Sequence, residues 1–157
     1  MTVPHLDRWP PSGREYRRSE VTVSIGSGDI VWRRAAEGVL HWKVKTASGF
    51  EVDAVCPAVP GARVVVTARL FGLTVIEPVE VMYVVQEATR SGFSYRTLPG
   101  HPVDGEESFI VYRRGNEVYL TIRSLTRAAS KQPWRALFPI LLIAQRIVQR
   151  RYRQALQ

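Results

Sequence analysis

The stretch SFIVYRRGNEVYLTIRSL, Ser108–Leu125, contains two strand-like runs on either side of a turn signal. The runs are Ser108–Arg113 and Val118–Leu125, and short runs bounded by turn residues are typical of β-strands. Between them, Gly115-Asn116 tolerates the positive φ that a two-residue hairpin turn requires. This part of the chain therefore predicts a pair of antiparallel strands.

Further strand-like segments precede the hairpin. Glu20–Ile25 alternates apolar residues with hydroxyl side chains, a period of two that fits a strand. Downstream, Glu77-Pro78 divides a long run, and we place Pro78 at a strand start or a bulge because proline lacks a backbone N–H. The other predicted strands are Phe50–Val55, Arg63–Leu70, Leu73–Ile76, Val79–Glu87 and Phe93–Leu98.

Two segments have helical spacing. Ile30–Leu40 repeats apolar residues every three or four positions, with Ser27 or Asp29 as a candidate cap. A longer C-terminal helix is predicted to begin at Ser130 as its N-cap, with Pro139 as a kink or as the true start. Its main apolar stripe consists of Trp134, Leu137, Leu141, Ala144, Val148, Tyr152 and Ala155. A smaller strip, expected to pack against the first helix, consists of Ile140, Ile143 and Ile147.

The order of these elements decides the fold class. A strand, a short helix, several consecutive strands and a closing helix do not fit a doubly wound parallel sheet, which needs a helix after nearly every strand. We therefore predict one α+β domain over residues 1–157, in which a curved antiparallel sheet wraps around a long C-terminal helix. Residues 1–19 are expected to form an irregular N-terminal arm, and residues 130–157 the closing helix.

The positive charge of the chain is concentrated towards its C-terminal end. Of 22 basic and 14 acidic residues, fourteen of each precede Arg123, and no acidic residue follows Glu117. The net charge of +8 therefore comes from eight residues, which are Arg123, Arg127, Lys131, Arg135, Arg146, Arg150, Arg151 and Arg153. The body of the protein is neutral and its last helix is cationic.

This cationic helix face has two interpretations. Arg146, Arg150 and Arg153 fall opposite the apolar stripe, where they could bind anions weakly at a membrane surface or on RNA. A solvated helix face is the alternative. No aromatic side chains are interleaved with these arginines to stack on bases, which argues against nucleic acid as a partner.

Composition also bears on compartment and cofactors. Cys56 is the only cysteine, which excludes an internal disulfide and favours a reducing, cytoplasmic location. Met1–Pro11 lacks the apolar run of a signal peptide, and no apolar run approaches the ~20 residues of a membrane-spanning helix, so we expect a soluble protein.

Gly26-Ser27-Gly28 lacks the third glycine of a dinucleotide fingerprint and is interpreted as a strand-to-helix turn. With three histidines and no paired cysteines, we expect no metal and no cofactor.

The densest group of polar residues is Tyr95–Glu107, which leaves one strand and enters another. Within it, we place Thr97–Glu107 on an exposed loop between the two strands. Its Pro-Gly and Asp-Gly pairs are what a structural turn needs, and a role in ligand binding or proton transfer is the alternative. Because neighbouring residues on a strand face opposite sides, only one of Glu106 and Glu107 can join His101 as a general acid/base pair. We expect this loop to rim the mouth of an internal cavity. The candidate ligand-binding residues are Tyr95, Thr97, His101 and Glu107.

The same segment resembles a known family. Gly92-Phe93-Ser94-Tyr95, Thr97-Leu98-Pro99-Gly100-His101-Pro102 and Gly105-Glu106-Glu107-Ser108-Phe109 are similar to the signature of uncharacterised protein family 0548, found in bacteria and plants. The similarity continues through Arg123 to the end of the last helix and covers most of the chain. Arg96 departs from the family pattern, which usually has glycine there. If that glycine allows close approach of a ligand, ligand binding either differs in this protein or is lost.

The resemblance implies a fold rather than an activity, because the family carries no established function. Its members are similar to the helix-grip, START-like (SRPBCC) superfamily, in which a sheet and a C-terminal helix enclose an apolar cavity. The first hypothesis is non-enzymatic binding of a small hydrophobic or amphipathic molecule between the sheet and Leu137–Tyr152. The second is an enzyme that uses His101 and a glutamate for acid/base chemistry in the same cavity. The third is a peripheral binder of membranes or RNA through the C-terminal arginines.

Overall fold

Seven strands form one antiparallel sheet in the computed structural model, which describes residues 1–54, 57–70, 72–130 and 134–157. The strands are β1 (Arg17–Ser27), β2 (Glu51–Val52), β3 (Arg63–Leu70), β4 (Leu73–Gln86), β5 (Arg90–Thr97), β6 (Val103–Arg114) and β7 (Glu117–Ala128). The helices in the described residues are α1 (Asp29–Leu40), α2 (Lys43–Thr46) and α3 (Trp134–Tyr152). The strand order is β1-β7-β6-β5-β4-β3-β2, so the first strand pairs with the last.

The predicted α+β class and the predicted hairpin are both confirmed. Arg114 pairs with Glu117 across Gly115-Asn116, and Gly115 has the positive φ of +57° that the turn requires. On the face of the sheet that α3 covers, Phe93 of β5 pairs with Phe109 of β6, and both rings are buried. The period of two along these strands thus places one row of side chains in the core.

Strand β4 is continuous, so the predicted break at Glu77-Pro78 is wrong. Pro78 pairs with Val65, and its carbonyl accepts the Leu98 N–H at 2.9 Å. Because β5 has already ended at Thr97, the missing N–H of Pro78 removes no hydrogen bond from the β4–β5 ladder. Glu77 therefore lies within a strand, on the same face as the buried neighbours two positions away on either side.

The connection between β5 and β6 is shorter than the predicted Thr97–Glu107 loop and comprises residues 98–102. Gly105 belongs to β6 rather than to a turn. A Cβ atom at this position would lie only 1.8 Å from the carbonyl oxygen of Leu125 on β7. Glycine is required here because the two strands approach each other too closely for any side chain.

Helix α1 begins differently from the prediction. Its N-cap is Gly28, at φ +92°, and no side chain caps it, so the expected cap by Ser27 or Asp29 is wrong. Asp29 instead lies in the first turn and accepts a hydrogen bond from Arg113 at 2.7 Å. The interpretation of Gly26-Ser27-Gly28 as a strand-to-helix turn is confirmed, because β1 ends at Ser27 and α1 follows at once.

The short helix α2 is not predicted by the sequence. It follows Trp42, which adopts the left-handed conformation at φ +61°. The Trp42 carbonyl accepts the N–H groups of Lys45 and Thr46 at 3.0 Å, which closes the turn. A bulky residue in this region is strained, and the burial of its indole against Phe93, at 4.6 Å between ring centroids, holds it there.

The bounds of several other predicted elements differ from those in the structure. The predicted strand Phe50–Val55 is reduced to β2, and Val55 lies outside the described residues. The predicted cap Ser130 adjoins residues 131–133, which also lie outside them. Pro139 lies within α3 and so does not mark its start.

Helix α3 buries only part of its predicted stripe. Ala144, Val148 and Tyr152 are buried against the sheet, whereas Leu137 is exposed. The isoleucine strip does not pack against α1, contrary to the prediction, since Ile140, Ile143 and Ile147 are all exposed.

The N-terminal arm crosses the opposite face of the sheet and spans residues 1–16, three fewer than predicted. Arg123 is buried there and donates to three carbonyls of the arm at 2.9–3.0 Å and to the Glu20 carboxylate at 2.6 Å. Arg90, also buried, donates to the Pro4 carbonyl at 3.1 Å. The two guanidinium groups bond to backbone carbonyls of the arm and so fix the arm to the sheet.

No helix in the described part of the chain is both long and apolar enough to cross a membrane.

Candidate ligand-binding site

A cavity of about 100 Å³ lies between the sheet and α3. Its apolar wall includes Phe50, Leu141, Ala144, Val148 and Tyr152. Its polar lining includes Lys45, Glu77, Tyr95, Thr97, His101 and Glu107. All four predicted ligand-binding residues are therefore brought together around one cavity.

The most unusual group in this lining is the ammonium of Lys45, which α2 directs into the core. Its side chain is only 5% exposed, and Nζ lies 3.4 Å from Glu107 and 3.9 Å from Glu77. The rings of Phe50, Tyr152, Tyr95 and Phe109 surround Nζ at 4.5, 5.2, 5.5 and 5.9 Å from their centroids. Two carboxylates and four ring faces thus compensate for the water that a buried ammonium loses.

Strand pairing brings Tyr95, Glu107 and Ser124 side by side on β5, β6 and β7. The Tyr95 hydroxyl donates to one oxygen of Glu107, and the Ser124 hydroxyl donates to the other at 3.4 Å. Burial raises the pKa of the Tyr95 phenol well above 10, and the negative charge of Glu107 acts in the same direction. Tyr95 therefore remains a hydrogen-bond donor throughout the physiological pH range.

Glu77 is the second carboxylate beside Lys45. Burial raises the pKa of this carboxyl above its usual value, the ammonium of Lys45 opposes the rise, and Glu107 adds to it. Since the two glutamates share a single cation, the cluster carries one excess negative charge when both are ionised. The burial of Glu77 therefore favours its protonated form.

His101 is buried rather than exposed, contrary to the prediction for a loop residue. Its Nδ1 accepts the Val103 N–H at 3.1 Å, and the backbone N–H of His101 donates to the Leu98 carbonyl at 3.1 Å. Burial lowers the pKa of His101 to about 3, with a further lowering from the charge of Lys45. The imidazole is therefore neutral near pH 7, with its proton on Nε2.

The structure does not assemble the acid/base pair considered for His101. The Glu106 carboxylate accepts the Thr2 N–H at 2.9 Å, on the side of the N-terminal arm. Glu107 faces the cavity but is bonded to Tyr95 and Lys45 rather than to His101 among the described residues. His101 instead holds the β5–β6 connection in place while lining the cavity.

Thr97 and Arg96 have different roles. The Thr97 hydroxyl accepts the Gly105 N–H at 3.0 Å and so fixes the end of β5 against β6. Arg96 points away from the cavity and donates to Glu80 at 2.7 Å from its Nε. Arg96, which departs from the family pattern, is therefore not part of the cavity lining.

The sequence did not identify Lys45 and Glu77 as candidate site residues. It placed Tyr152 only in the main apolar stripe of the C-terminal helix. The alternation of Val75, Glu77 and Val79 could have assigned Glu77 to the inner face, had Pro78 not been interpreted as a break. Lys45 carried no comparable signal, because α2 exists only through the left-handed conformation of Trp42.

The predicted anion-binding arginines lie away from this cavity. Arg146 and Arg150 are exposed on α3, and Arg153 is exposed directly after the helix ends at Tyr152. Arg146 borders a separate depression of about 160 Å³ that it shares with Arg17 of β1. Within the described residues, no group of three or more histidine, cysteine, aspartate or glutamate side chains is placed to hold a metal ion.

Known structures share this fold. A hypothetical protein of Helicobacter pylori matches with a TM-score of 0.65 at 14% identity, covering 99% of this chain and 96% of that one. The major latex-like protein 151 of Panax ginseng matches with a TM-score of 0.55 at 15% identity, over 87% and 98% of the two chains. The ZhuI aromatase/cyclase of Streptomyces sp. R1128 matches with a TM-score of 0.55 at 17% identity, over 90% and 91%. The predicted helix-grip fold is thereby confirmed.

Curated relatives agree with the resemblance found in the sequence. A UPF0548 protein of Deinococcus radiodurans is 33% identical over 137 residues, which are 77% of this chain and 64% of the relative. A UPF0548 protein of Arabidopsis thaliana is 29% identical over 115 residues, 68% of this chain and 56% of the relative. The chain thus spans less than two thirds of the length of each. The model of the DUF1990 family, described as a domain of unknown function, matches residues 3–155, and the chain therefore belongs to that family.

Proposed function

We propose that the protein binds a small, neutral amphipathic molecule in the cavity between the sheet and α3. The observation that carries this proposal is the buried ammonium of Lys45 beside a cavity whose remaining wall is largely apolar. A buried ion pair is seldom the most stable way to fill a core, since apolar residues of similar volume often serve as well or better. A polar cluster at the end of an apolar cavity is, by contrast, how binding sites orient a ligand.

The chemistry of the polar end defines the ligand class. Lys45 Nζ and the Nε2–H of His101 are donors, so the ligand offers an acceptor oxygen such as a hydroxyl or carbonyl group. Glu77 and Glu107 already more than balance the charge of Lys45, which disfavours a carboxylate or phosphate at this end. The ligand is therefore a neutral alcohol or ketone with an apolar body.

The size of the cavity sets a limit on that body. An empty apolar cavity of roughly 150 Å³ accepts benzene, and the cavity here measures about 100 Å³. A single small ring is the largest group that fits with little adjustment. A longer ligand requires α3 to move away from the sheet, because Leu141, Ala144 and Val148 form the wall on that side.

Thermal unfolding in the presence of cyclohexanol, cyclohexanone and methylcyclohexane tests the proposal. A ligand that binds only the folded state raises the unfolding temperature with concentration. We expect the alcohol and the ketone to stabilise the wild type more than the hydrocarbon does.

Two phenylalanine variants localise the effect. Ala144→Phe fills the cavity, and Ile143→Phe adds the same ring on the exposed side of α3. Stabilisation by the alcohol and the ketone should persist in Ile143→Phe and disappear in Ala144→Phe. Ala144→Leu, which adds a smaller side chain, is a milder variant that also fills part of the cavity. Equal stabilisation of both phenylalanine variants, or none of the wild type, would refute the proposal.

A further inference from the structure

The outer side of α3 carries a strip of exposed apolar residues. Ile140, Ile143 and Ile147, the isoleucine strip, are 56%, 58% and 43% exposed. Their spacing of three and four residues places them on one side of the helix. The sheet packs against the neighbouring side, through Ala144, Val148 and Tyr152, and no described residue covers the isoleucine strip.

Positive charges continue this strip towards the C-terminal end of α3. Arg146, Arg150, Arg151 and Arg153 are exposed, and none of them forms an ion pair within the described residues. No acidic residue follows Glu117 in the sequence, so the last forty residues supply no neutralising charge. Successive residues are rotated by 100° around the helix axis, which places Arg146 and Arg150 on one flank of the isoleucine strip. Arg151 lies in line with the strip, about one turn beyond Ile147.

We propose that this surface of α3 docks on an anionic lipid bilayer. The isoleucine strip would enter the boundary between headgroups and acyl chains, while the arginines contact the anionic headgroups. The strip spans seven residue steps, or about 10 Å at 1.5 Å per residue, so α3 lies along the surface and does not cross it. An exposed apolar strip beside unpaired arginines is the combination that interfacial helices present to such membranes.

Other occupants fit the same surface less well. A second copy of the chain would bring a second set of unpaired arginines against the first, and like charges oppose that contact. RNA would be attracted by the arginines but gains nothing from exposed isoleucine side chains, and no aromatic side chain stands among them to stack on bases. An anionic bilayer is complementary to both parts of the surface.

Co-sedimentation of the full chain with vesicles tests this proposal. We expect binding to phosphatidylcholine vesicles that contain 30% phosphatidylserine, weak binding to pure phosphatidylcholine, and a decrease as salt rises. Replacing Arg146, Arg150 and Arg153 together by Gln should lower the partition coefficient on the order of a hundredfold, at the typical contribution of each basic residue near an anionic surface. The matched control replaces the exposed Arg8, Arg33 and Arg34 by Gln and should leave most of the binding intact.

The apolar contribution is tested separately. Replacing Ile140, Ile143 and Ile147 by Ser keeps every charge and should abolish vesicle binding while unfolding occurs near the wild-type temperature. Leu73→Ser with Ile76→Ser changes exposed apolar residues on the β3–β4 hairpin and serves as the control.

The alternative occupants give different results. Binding to single-stranded RNA that exceeds vesicle binding and survives the Ile→Ser changes would assign the surface to RNA and overturn the proposal. A dimer in sedimentation velocity that the Ile→Ser changes dissociate would assign it to a second copy, with the same consequence. Equal binding to neutral and anionic vesicles, or none to either, would also overturn it.

Discussion

Lys45 places a positive charge where apolar side chains would ordinarily be found, and its surroundings are arranged to accept it. Glu77 and Glu107 supply the counter-charge, and four aromatic rings enclose the ammonium. Neither glutamate has another cation among its described ion pairs. The three side chains therefore behave as one unit, and removing one member leaves the others buried without compensation.

Lys45→Met tests this coupling. The variant leaves two buried carboxylates without a cation, and we expect a loss of about 3–5 kcal/mol in the free energy of unfolding at pH 7. The loss should shrink as the pH falls to 4.5, because the buried Glu77 carboxyl, whose pKa is raised, destabilises the protein only while it is ionised. Urea denaturation at both pH values measures it, with the exposed Lys43→Met as control. A loss independent of pH would mean that Lys45 contributes packing and not charge.

His101 should make stability depend on pH. Its folded-state pKa of about 3 lies below the usual 6.5, so between these values the unfolded chain binds a proton that the folded chain does not. Stability is then complete above pH 6.5 and decreases as the pH falls. His101→Asn removes this titration, and its Asn oxygen can still accept the Val103 N–H. The stability difference between wild type and variant should fall by about 2–3 kcal/mol from pH 7 to 4.5. The exposed His41→Asn should show no such change, and a constant difference for His101→Asn would contradict the burial of the imidazole.

At the scale of elements, sequence reasoning worked where local pattern decides and failed where the neighbouring strand decides. The β6–β7 hairpin and α1 were predictable because their turns and apolar periods are local. Pro78 was wrongly interpreted as a strand break, because whether a proline is tolerated there depends on where the neighbouring strand β5 ends. Gly105 was wrongly placed in a turn, because the requirement for glycine comes from the nearby carbonyl of Leu125 on β7. The site was found in part for the same reason. Tyr95 and His101 stood out locally, whereas Lys45 required the unforeseen helix α2.

Gly105→Ala tests the close approach of β6 and β7. Its methyl group would lie 1.8 Å from a backbone oxygen, so the strands must separate or shift register. We expect a loss of about 4 kcal/mol or more in the free energy of unfolding, at the upper end of single substitutions. Gly13→Ala is the control, because nothing lies within 4 Å of the added methyl group. Near-wild-type stability of Gly105→Ala in urea denaturation would show that the described β6–β7 pairing is wrong.

The two sides of α3 should respond differently to charge. Val148→Asp buries a carboxylate against the sheet, and we expect a loss of about 3 kcal/mol or more, whereas Ile147→Asp, on the exposed side, should change stability by less than about 0.5 kcal/mol. Thermal unfolding of the two variants measures the difference. Comparable losses would place Ile147 in contact with the protein and would remove the basis for a free outer surface.

At the scale of the whole molecule, three features lie on different surfaces. The face of the sheet under α3 holds the cavity, the opposite face holds the N-terminal arm through Arg90 and Arg123, and the outer side of α3 concentrates unpaired positive charge. The positions of the charged residues along the sequence predicted the cationic C-terminal end, because charge can be counted segment by segment without knowledge of the fold. The cavity required the three-dimensional pairing of β5, β6 and β7, which no single segment encodes.

Native mass spectrometry of the protein purified from its own host tests the central claim most directly. The wild type and Ile143→Phe should each retain one small neutral molecule, released on unfolding, that contains an oxygen acceptor and an apolar body. Ala144→Phe, whose added ring occupies the cavity, should retain none. Retention of the same molecule by Ala144→Phe, or its absence from all three proteins, would contradict the proposal that this cavity is a binding site.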